Sequence, residues 1–164
     1  SETVLISVFR ERMVRKRGKD MFVKQLSVFM ENREGRLEEV LAVLKNNKVN
    51  IASLSLADTN EFGILRMLVN KPEAAYDALK RNGFSSRLTD VLAVKLSHRV
   101  GMLQELLEAI CEVHINIEYM YALSTGGDDA SMVLKTSNLE ATEKTLRDKG
   151  VEIITPEEIG LDFD

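Results

Sequence analysis

The chain has 164 residues, 45% hydrophobic, 29% charged and only 5% aromatic. That length allows one compact domain or two very small ones, and no apolar run approaches the ~20 residues of a membrane-spanning helix. The net charge of −4 is uneven: residues 1–20 hold six Lys/Arg against three Asp/Glu, so the rest carries −7, which speaks against nucleic acid as a partner.

Residues 1–20 start apolar (Val4, Leu5, Ile6, Val8, Phe9) and end basic (Arg10, Arg12, Arg15, Lys16, Arg17, Lys19). A secretory signal has the opposite order. The stretch reads as an N-terminal extension outside the fold or as one added strand, and no function is built on it. From Met21 onward the sequence repeats. At a shift of 66, Leu26, Val28 and Met30 fall on Leu92, Val94 and Leu96, and Gly35-Arg36-Leu37 falls on Gly101-Met102-Leu103. The stripe Leu37, Val40, Leu41, Leu44 falls on Leu103, Leu106, Leu107, Ile110, and Asn50-Ile51 on Asn116-Ile117. After Gly126-Gly127-Asp128-Asp129 the shift becomes 67, bringing Leu79 onto Leu146 and Gly83 onto Gly150. The chain therefore holds two copies of one unit, 21–90 and 91–164.

In each copy a strand of period-two alternation (about 22–30 and 91–97) leads through a Gly-containing loop into a helix with one apolar face. A second strand starts at Asn50 or Asn116, and a turn then leads to a third strand, 63–69 or 130–136. A second helix follows, for which Asn70 with Glu73 and Ser137 with Glu140 have capping-box spacing, and Gly83 and Gly150 sit where a left-handed C-terminal residue is wanted. A last strand begins at Phe84 or Val151. The order βαββαβ, twice, predicts an α+β protein of two ferredoxin-like units, each an antiparallel sheet with two helices on one face. No Pro, Gly or flexible linker separates Phe84 from Ser97, so the copies are expected to pack rigidly together.

No catalytic constellation is present: His98 and His114 lie at opposite ends of a predicted helix, and HExxH, GxSxG, GxxxxGK[ST] and GxGxxG are all missing. Without CxxC or a Cys/His cluster, no metal or cofactor is expected, and the lone Cys111 reads as a small core residue in a reducing cytoplasm. Met30, Met67, Met102, Met120 and Met132 also read as core. Gly126–Asp129 reads as a solvated turn. Tyr119 and Tyr121, alternating with Glu118 and Met120, read as one face of an interface or pocket wall.

What stands out recurs at equivalent places. The loops Glu31-Asn32-Arg33-Glu34-Gly35-Arg36-Leu37 and Ser97-His98-Arg99-Val100-Gly101-Met102-Leu103 each put a polar side chain three residues before a glycine at a helix start. Unpaired backbone N–H groups and the helix dipole favour an anion there. Asn50 and Asn116 add amides that donate and accept. The same residues could serve geometry alone, Asn32 as a cap and Asn50 and Asn116 as left-handed turn residues.

The stretch Leu26-Ser-Val-Phe-Met-Glu-Asn-Arg-Glu-Gly-Arg-Leu, its helix and Val49-Asn50-Ile51 resemble the first half of an ACT domain. So do Val94-Lys-Leu-Ser-His-Arg-Val-Gly-Met-Leu and Ile115-Asn116-Ile117. The resemblance covers nearly all of 21–164 and is to bacterial stand-alone tandem ACT-domain proteins. It implies domains paired side by side into a continuous sheet and a small molecule, usually an amino acid, bound at their interface. Carried over by position, it marks Asn32 and Gly35 of the first loop and Asn50 and Asn116 as ligand-binding; the loop and strand residues around them, Arg33, Arg36, Leu37, Ile51, His98, Arg99, Gly101, Met102, Leu103 and Ile117, complete the candidate ligand-binding set. Glu34 and Val100 replace a frequent proline, His98 replaces the loop asparagine, and Met30 and Leu96 stand where serine-binding members have histidine, so the two sites can differ. The resulting expectation is a non-catalytic amino-acid sensor and homodimer without nucleic-acid or membrane partners. The alternative is a regulatory subunit that binds an enzyme of amino-acid metabolism.

Overall fold

The computed structural model describes residues 21–97, 99–123 and 130–159. The elements follow the predicted order: β1 (Val23–Glu31), α1 (Arg36–Asn46), β2 (Ile51–Asp58), β3 (Phe62–Val69), α2 (Pro72–Arg81), β4 (Ser85–Leu96), α3 (Met102–Glu112), β5 (Ile117–Leu123), β6 (Ala130–Thr136), α4 (Leu139–Asp148), β7 (Glu152–Ile154) and a last turn of helix, α5 (Pro156–Ile159). All strand pairs are antiparallel. Gly83 and Gly150, at φ +80° and +78°, end the second helix of each copy in the left-handed region.

The copies share a strand. The twelve residues of β4 contain the point between residues 90 and 91: Ser85 to Val91 pair with β1, while Leu92 to Leu96 pair with β6 and Ala93 to Lys95 with β7. With no turn-forming residue in between, the last strand of the first copy runs straight into the first strand of the second. The hydrogen-bonded order β2-β3-β1-β4-β6-β5 is therefore continuous.

Strand alternation divides the apolar side chains among three cores. In the first copy Leu26, Val28, Met30, Leu65, Met67 and Val69 face Val40 and Leu44 of α1 and Ala75 and Leu79 of α2. In the second, Leu92, Val94, Leu96 and Leu134 face Leu106 and Ile110 of α3 and Leu146 of α4. The third core takes the opposite parity: Val23, Leu68, Val91, Ala93, Leu123, Val133 and Ile154. It lies between the helix-free faces of the two copies.

A flat side-by-side arrangement cannot produce that third core. β3 and β5 stand four places apart in the strand order, about 19 Å at ~4.8 Å per strand. Yet the guanidinium of Arg66 on β3 lies 3.7 Å from the ring centroid of Tyr119 on β5. The sheet is continuous but folded over along β4, and side-by-side pairing is limited to the run of hydrogen bonds through that strand. The physical reason is burial: the helix-free faces carry apolar side chains that a flat sheet would leave in water.

Several local expectations need correction. Lys71, with Pro72 behind it, and Asn138 are the N-caps of α2 and α4, so neither capping box forms; the Asn138 side chain accepts from Ala141 N instead. Asn70 and Ser137 bond elsewhere. Cys111 is exposed, because it follows Ile110 by about 100° around α3, past the buried face of Leu106, Ala109 and Ile110. Met102 is only half-buried at the first turn of α3, whereas Met30 and Met67 are core and Met120 and Met132 pack against it.

Candidate functional site

The loop between β1 and α1 is held by its own backbone and by the β2–β3 turn. Asn32 N donates to Glu61 O at 3.0 Å, and Asn32 Nδ2 donates to Thr59 O at 3.4 Å. Asn32 thus ties loop to turn and does not cap α1. Arg33 pairs with Glu31 at 3.0 Å, both exposed, an ion pair worth little in water. Gly35 is the N-cap at φ +85°, and its equivalent Gly101 caps α3 at φ +87°; neither helix has a side-chain cap. A Cβ at either glycine would meet nothing within 4 Å, so conformation, not crowding, is what asks for glycine. The first N–H of each helix is spent on the loop, Arg36 N donating to Arg33 O and Met102 N to Arg99 O, each at 3.3 Å, which leaves the N–H groups of the next two residues of α1 and α3 open to an anion from outside.

The loops differ at the next residue. The Arg36 guanidinium stacks over the Phe84 ring at 4.4 Å and its Nη1 meets Glu39 Oε2 at 2.6 Å, while Arg36 Nε is buried without a partner. In the second copy Met102 takes that place. Arg99 reaches across it, donating to Glu105 Oε2 at 2.9 Å and to Met102 Sδ at 2.8 Å. Leu37 packs half-buried against the first core, and Leu103 is exposed. His98 lies outside the described residues, as does the Gly126–Asp129 turn.

Asn50 and Asn116 play one main-chain role in both copies. Asn50 N donates to Asn70 Oδ1 at 2.8 Å and Asn50 O accepts from Asn70 N at 3.1 Å. Asn116 N donates to Ser137 Oγ at 3.1 Å and Asn116 O accepts from Ser137 N at 2.9 Å. The left-handed residues nearby are Lys48 and His114, not the asparagines. Ile51 and Ile117 open β2 and β5 and pack half-buried against their cores. A cleft of about 380 Å³ adjoins Asn50 and Ile51, with Lys45 and Lys48 on its rim.

The structure does not bring all these residues together within one copy. Asn32 sits by Thr59 at one end of β2 and Asn50 at the other, eight residues or about 26 Å apart along the strand. Sequence reasoning missed a different cluster, between the copies. The fully buried Gln25 amide donates through Nε2 to Tyr119 Oη at 2.8 Å and Ser27 Oγ at 3.1 Å, and its Oε1 accepts from Tyr121 Oη at 2.7 Å. The alternation of Tyr119 and Tyr121 did mark an interface face. Gln25 gave a signal too, as a polar residue between Val23 and Ser27 on a strand buried on both sides. Burial pushes the Tyr121 phenol above its ordinary value of 10.0; Tyr119 adds to the rise and Arg66 opposes it.

Comparison with known proteins agrees with this architecture. A sequence profile described as an ACT domain pair matches residues 21–161. Among solved structures, protein BT0572 from Bacteroides thetaiotaomicron is 35% identical, with 87% of this chain and 98% of that one covered at a TM-score of 0.80. The regulatory subunits of aspartate kinase from Thermus thermophilus and Thermus flavus are each 14% identical, with TM-scores of 0.57 and 0.58, and share the fold alone. For the first, 76% of this chain and 91% of the other are covered; for the second, 86% and 92%. Among curated protein sequences, none matches. With the doubled βαββαβ order, the shared β4 and a matching profile over residues 21–161, the chain belongs to the ACT domain pair family.

Proposed function

We propose that the chain is a non-catalytic regulatory protein of the cytoplasm that senses an amino acid at an interface between its ACT domains, 21–90 and 91–164. ACT domains are regulatory ligand-binding domains, and what carries the reading here is that α1 and α3 both begin at a left-handed glycine with no side-chain cap. An incoming carboxylate finds unpaired N–H groups and a favourable dipole there. Asn32 and Asn50 lie at opposite ends of β2, so a site using both takes its second half from another chain. Edge strand β2 supports a homodimer, since Leu54 and Leu56 on it are 48% and 49% exposed.

A second reading, a regulatory subunit that binds an enzyme of amino-acid metabolism, draws on the same leucines as a docking edge. The Thermus proteins of this fold are described as regulatory subunits of aspartate kinase. A thermal-shift screen against the twenty amino acids separates the readings. A ligand at a hundredfold excess over Kd stabilises the native state by about 2.7 kcal/mol, a rise of several degrees for a chain of this size. The sensor reading expects such a rise from one ligand, lost in Asn32→Ala or His98→Ala. No rise from any amino acid sinks it, and co-purification with an enzyme then supports the second.

A further inference from the structure

The helix-free face of the first copy is covered by the second only in part. Gln25 on β1 and Leu68 on β3 are fully buried, the first bonded to Tyr119 and Tyr121 of β5 and the second in the third core. Along β1 the next row on this face is Arg87, Ser27 and Arg66, since Ser27 stands opposite Arg87 on β4 and opposite Arg66 on β3. Directly paired residues project to the same side of an antiparallel sheet, so both arginines flank Ser27 with Cα atoms about 10 Å apart, two strand spacings. The row beyond is Ser85, Phe29 and Ile64, then Glu31 beside Phe62. Here the cover has ended: Phe29 is 40% and Phe62 58% exposed, and Ile64 is half-buried.

The two cations are poised differently. Arg66 is half-buried, with its guanidinium held over the Tyr119 ring by cation–π attraction. Arg87 is exposed. Among the described residues neither forms an ion pair or a hydrogen bond through its guanidinium, so the donors of both forks are available. Two unpaired arginines on backbone positions that flank Ser27 suit a carboxylate, which takes parallel charge-assisted bonds from an arginine fork. The adjacent floor is made of only Phe29, Ile64 and Phe62, three side chains where a standard protein interface takes about 20–30 residues a side.

We propose that Arg66 and Arg87, with Phe29, Ile64 and Phe62 beside them, form a binding site for a small carboxylate carrying an apolar body. The anion sits between the two guanidinium groups over Ser27 and the body lies on the phenylalanines. The site is separate from the β1–α1 loop and does not depend on that loop binding anything.

The test titrates the full chain with phenylacetate by calorimetry, with benzylamine and inorganic phosphate as controls. Phenylacetate is expected to saturate and to weaken as salt is raised; benzylamine is expected not to bind, and phosphate to bind at least tenfold more weakly. Arg87→Gln is expected to weaken phenylacetate at least tenfold while leaving the urea midpoint unchanged, because Arg87 has no folded-state partner to lose. Phe29→Ala should weaken it without removing the salt dependence, and Asn32→Ala should leave it untouched. No saturation by phenylacetate at millimolar concentration, full affinity in Arg87→Gln, or phosphate binding as tightly as phenylacetate each overturns the proposal. Because Arg87→Gln removes this site and touches no residue of the β1–α1 loop, failure here and failure of the amino-acid sensor are told apart.

Discussion

The Gln25 amide oxygen and the Tyr121 hydroxyl lie 2.7 Å apart although 96 residues separate them in the chain. The contact joins β1 of the first copy to β5 of the second, where Tyr119 makes the matching bond to the other end of the same amide. Duplication did not produce it twice. At the shift of 66, Val91 stands in place of Gln25, and Ser53 and Ser55 in place of the tyrosines. The interface between two similar sheets thus carries a polar clamp beside its apolar third core, and a clamp of that kind specifies which side of each sheet faces the other.

Breaking half of the clamp is expected to cost more than removing all of it. Tyr121→Phe leaves the buried Gln25 oxygen without its donor, a loss of about 1–3 kcal/mol. The triple substitution Gln25→Leu, Tyr119→Phe, Tyr121→Phe leaves only the Ser27 hydroxyl, which accepts from Gln25 Nε2 at 3.1 Å, without its partner, and is expected to cost less than the sum of its parts. Urea unfolding of the unsubstituted chain, the three single variants and the triple variant measures both quantities. Strict additivity would show that the three side chains do not act as one unit.

The same tyrosine gives stability a dependence on alkaline pH. Burial raises the folded-state pKa of Tyr121 above the unfolded value of 10.0, so the folded chain holds a proton that the unfolded chain gives up. The contribution is complete below pH 10.0 and is lost as pH rises from there toward the folded value, with a limiting slope of about 1.4 kcal/mol per pH unit. Tyr121→Phe is expected to have a shallower decline in this window than the unsubstituted chain, read as urea midpoints between pH 9 and 11. Parallel curves would refute the assignment.

The readability of this fold followed the range of the interactions. Alternation and helical stripes are local, and they marked every strand and long helix within a few residues. The left-handed glycines 83 and 150 were legible for the same reason. The folding over along β4 was not, because it depends on which faces bury each other, and Val23, Val91 and Ala93 look the same in a flat sheet and in a doubled one. Cys111 was misplaced by a single helical step. At the loops, sequence identified the residues but not their partners: Asn32 spends its amide on Thr59, and Asn50 is held by Asn70, a residue that spacing had assigned to a capping box.

That correction has a measurable counterpart at α4. Asn138 Oδ1 accepts from Ala141 N at 3.1 Å, whereas Glu140 is exposed and closes no box with Ser137. Asn138→Ala is therefore expected to destabilise the chain by about 1 kcal/mol, and Glu140→Gln by a few tenths through the helix dipole alone. Thermal unfolding should show a drop of ~2–4 °C for the first and under ~1 °C for the second. Equal drops would restore the capping box.

The shared strand makes the strongest claim about the molecule as a whole. Because β4 contributes one half of its length to each sheet, the two copies cannot separate without leaving unpaired edges on both, and the third core would be exposed at the same time. Unfolding is expected to be a single cooperative transition, with the amides of Leu88 to Val94 among the slowest to exchange. Limited proteolysis should spare the middle of β4, where Val91, Leu92, Ala93 and Val94 are fully buried, and cut first at exposed segments such as the turn around Thr59 and Asn60. Release of two stable halves by a cut near Asp90, or two separate transitions in calorimetry, would mean that the copies fold as independent domains and that β4 only tethers them.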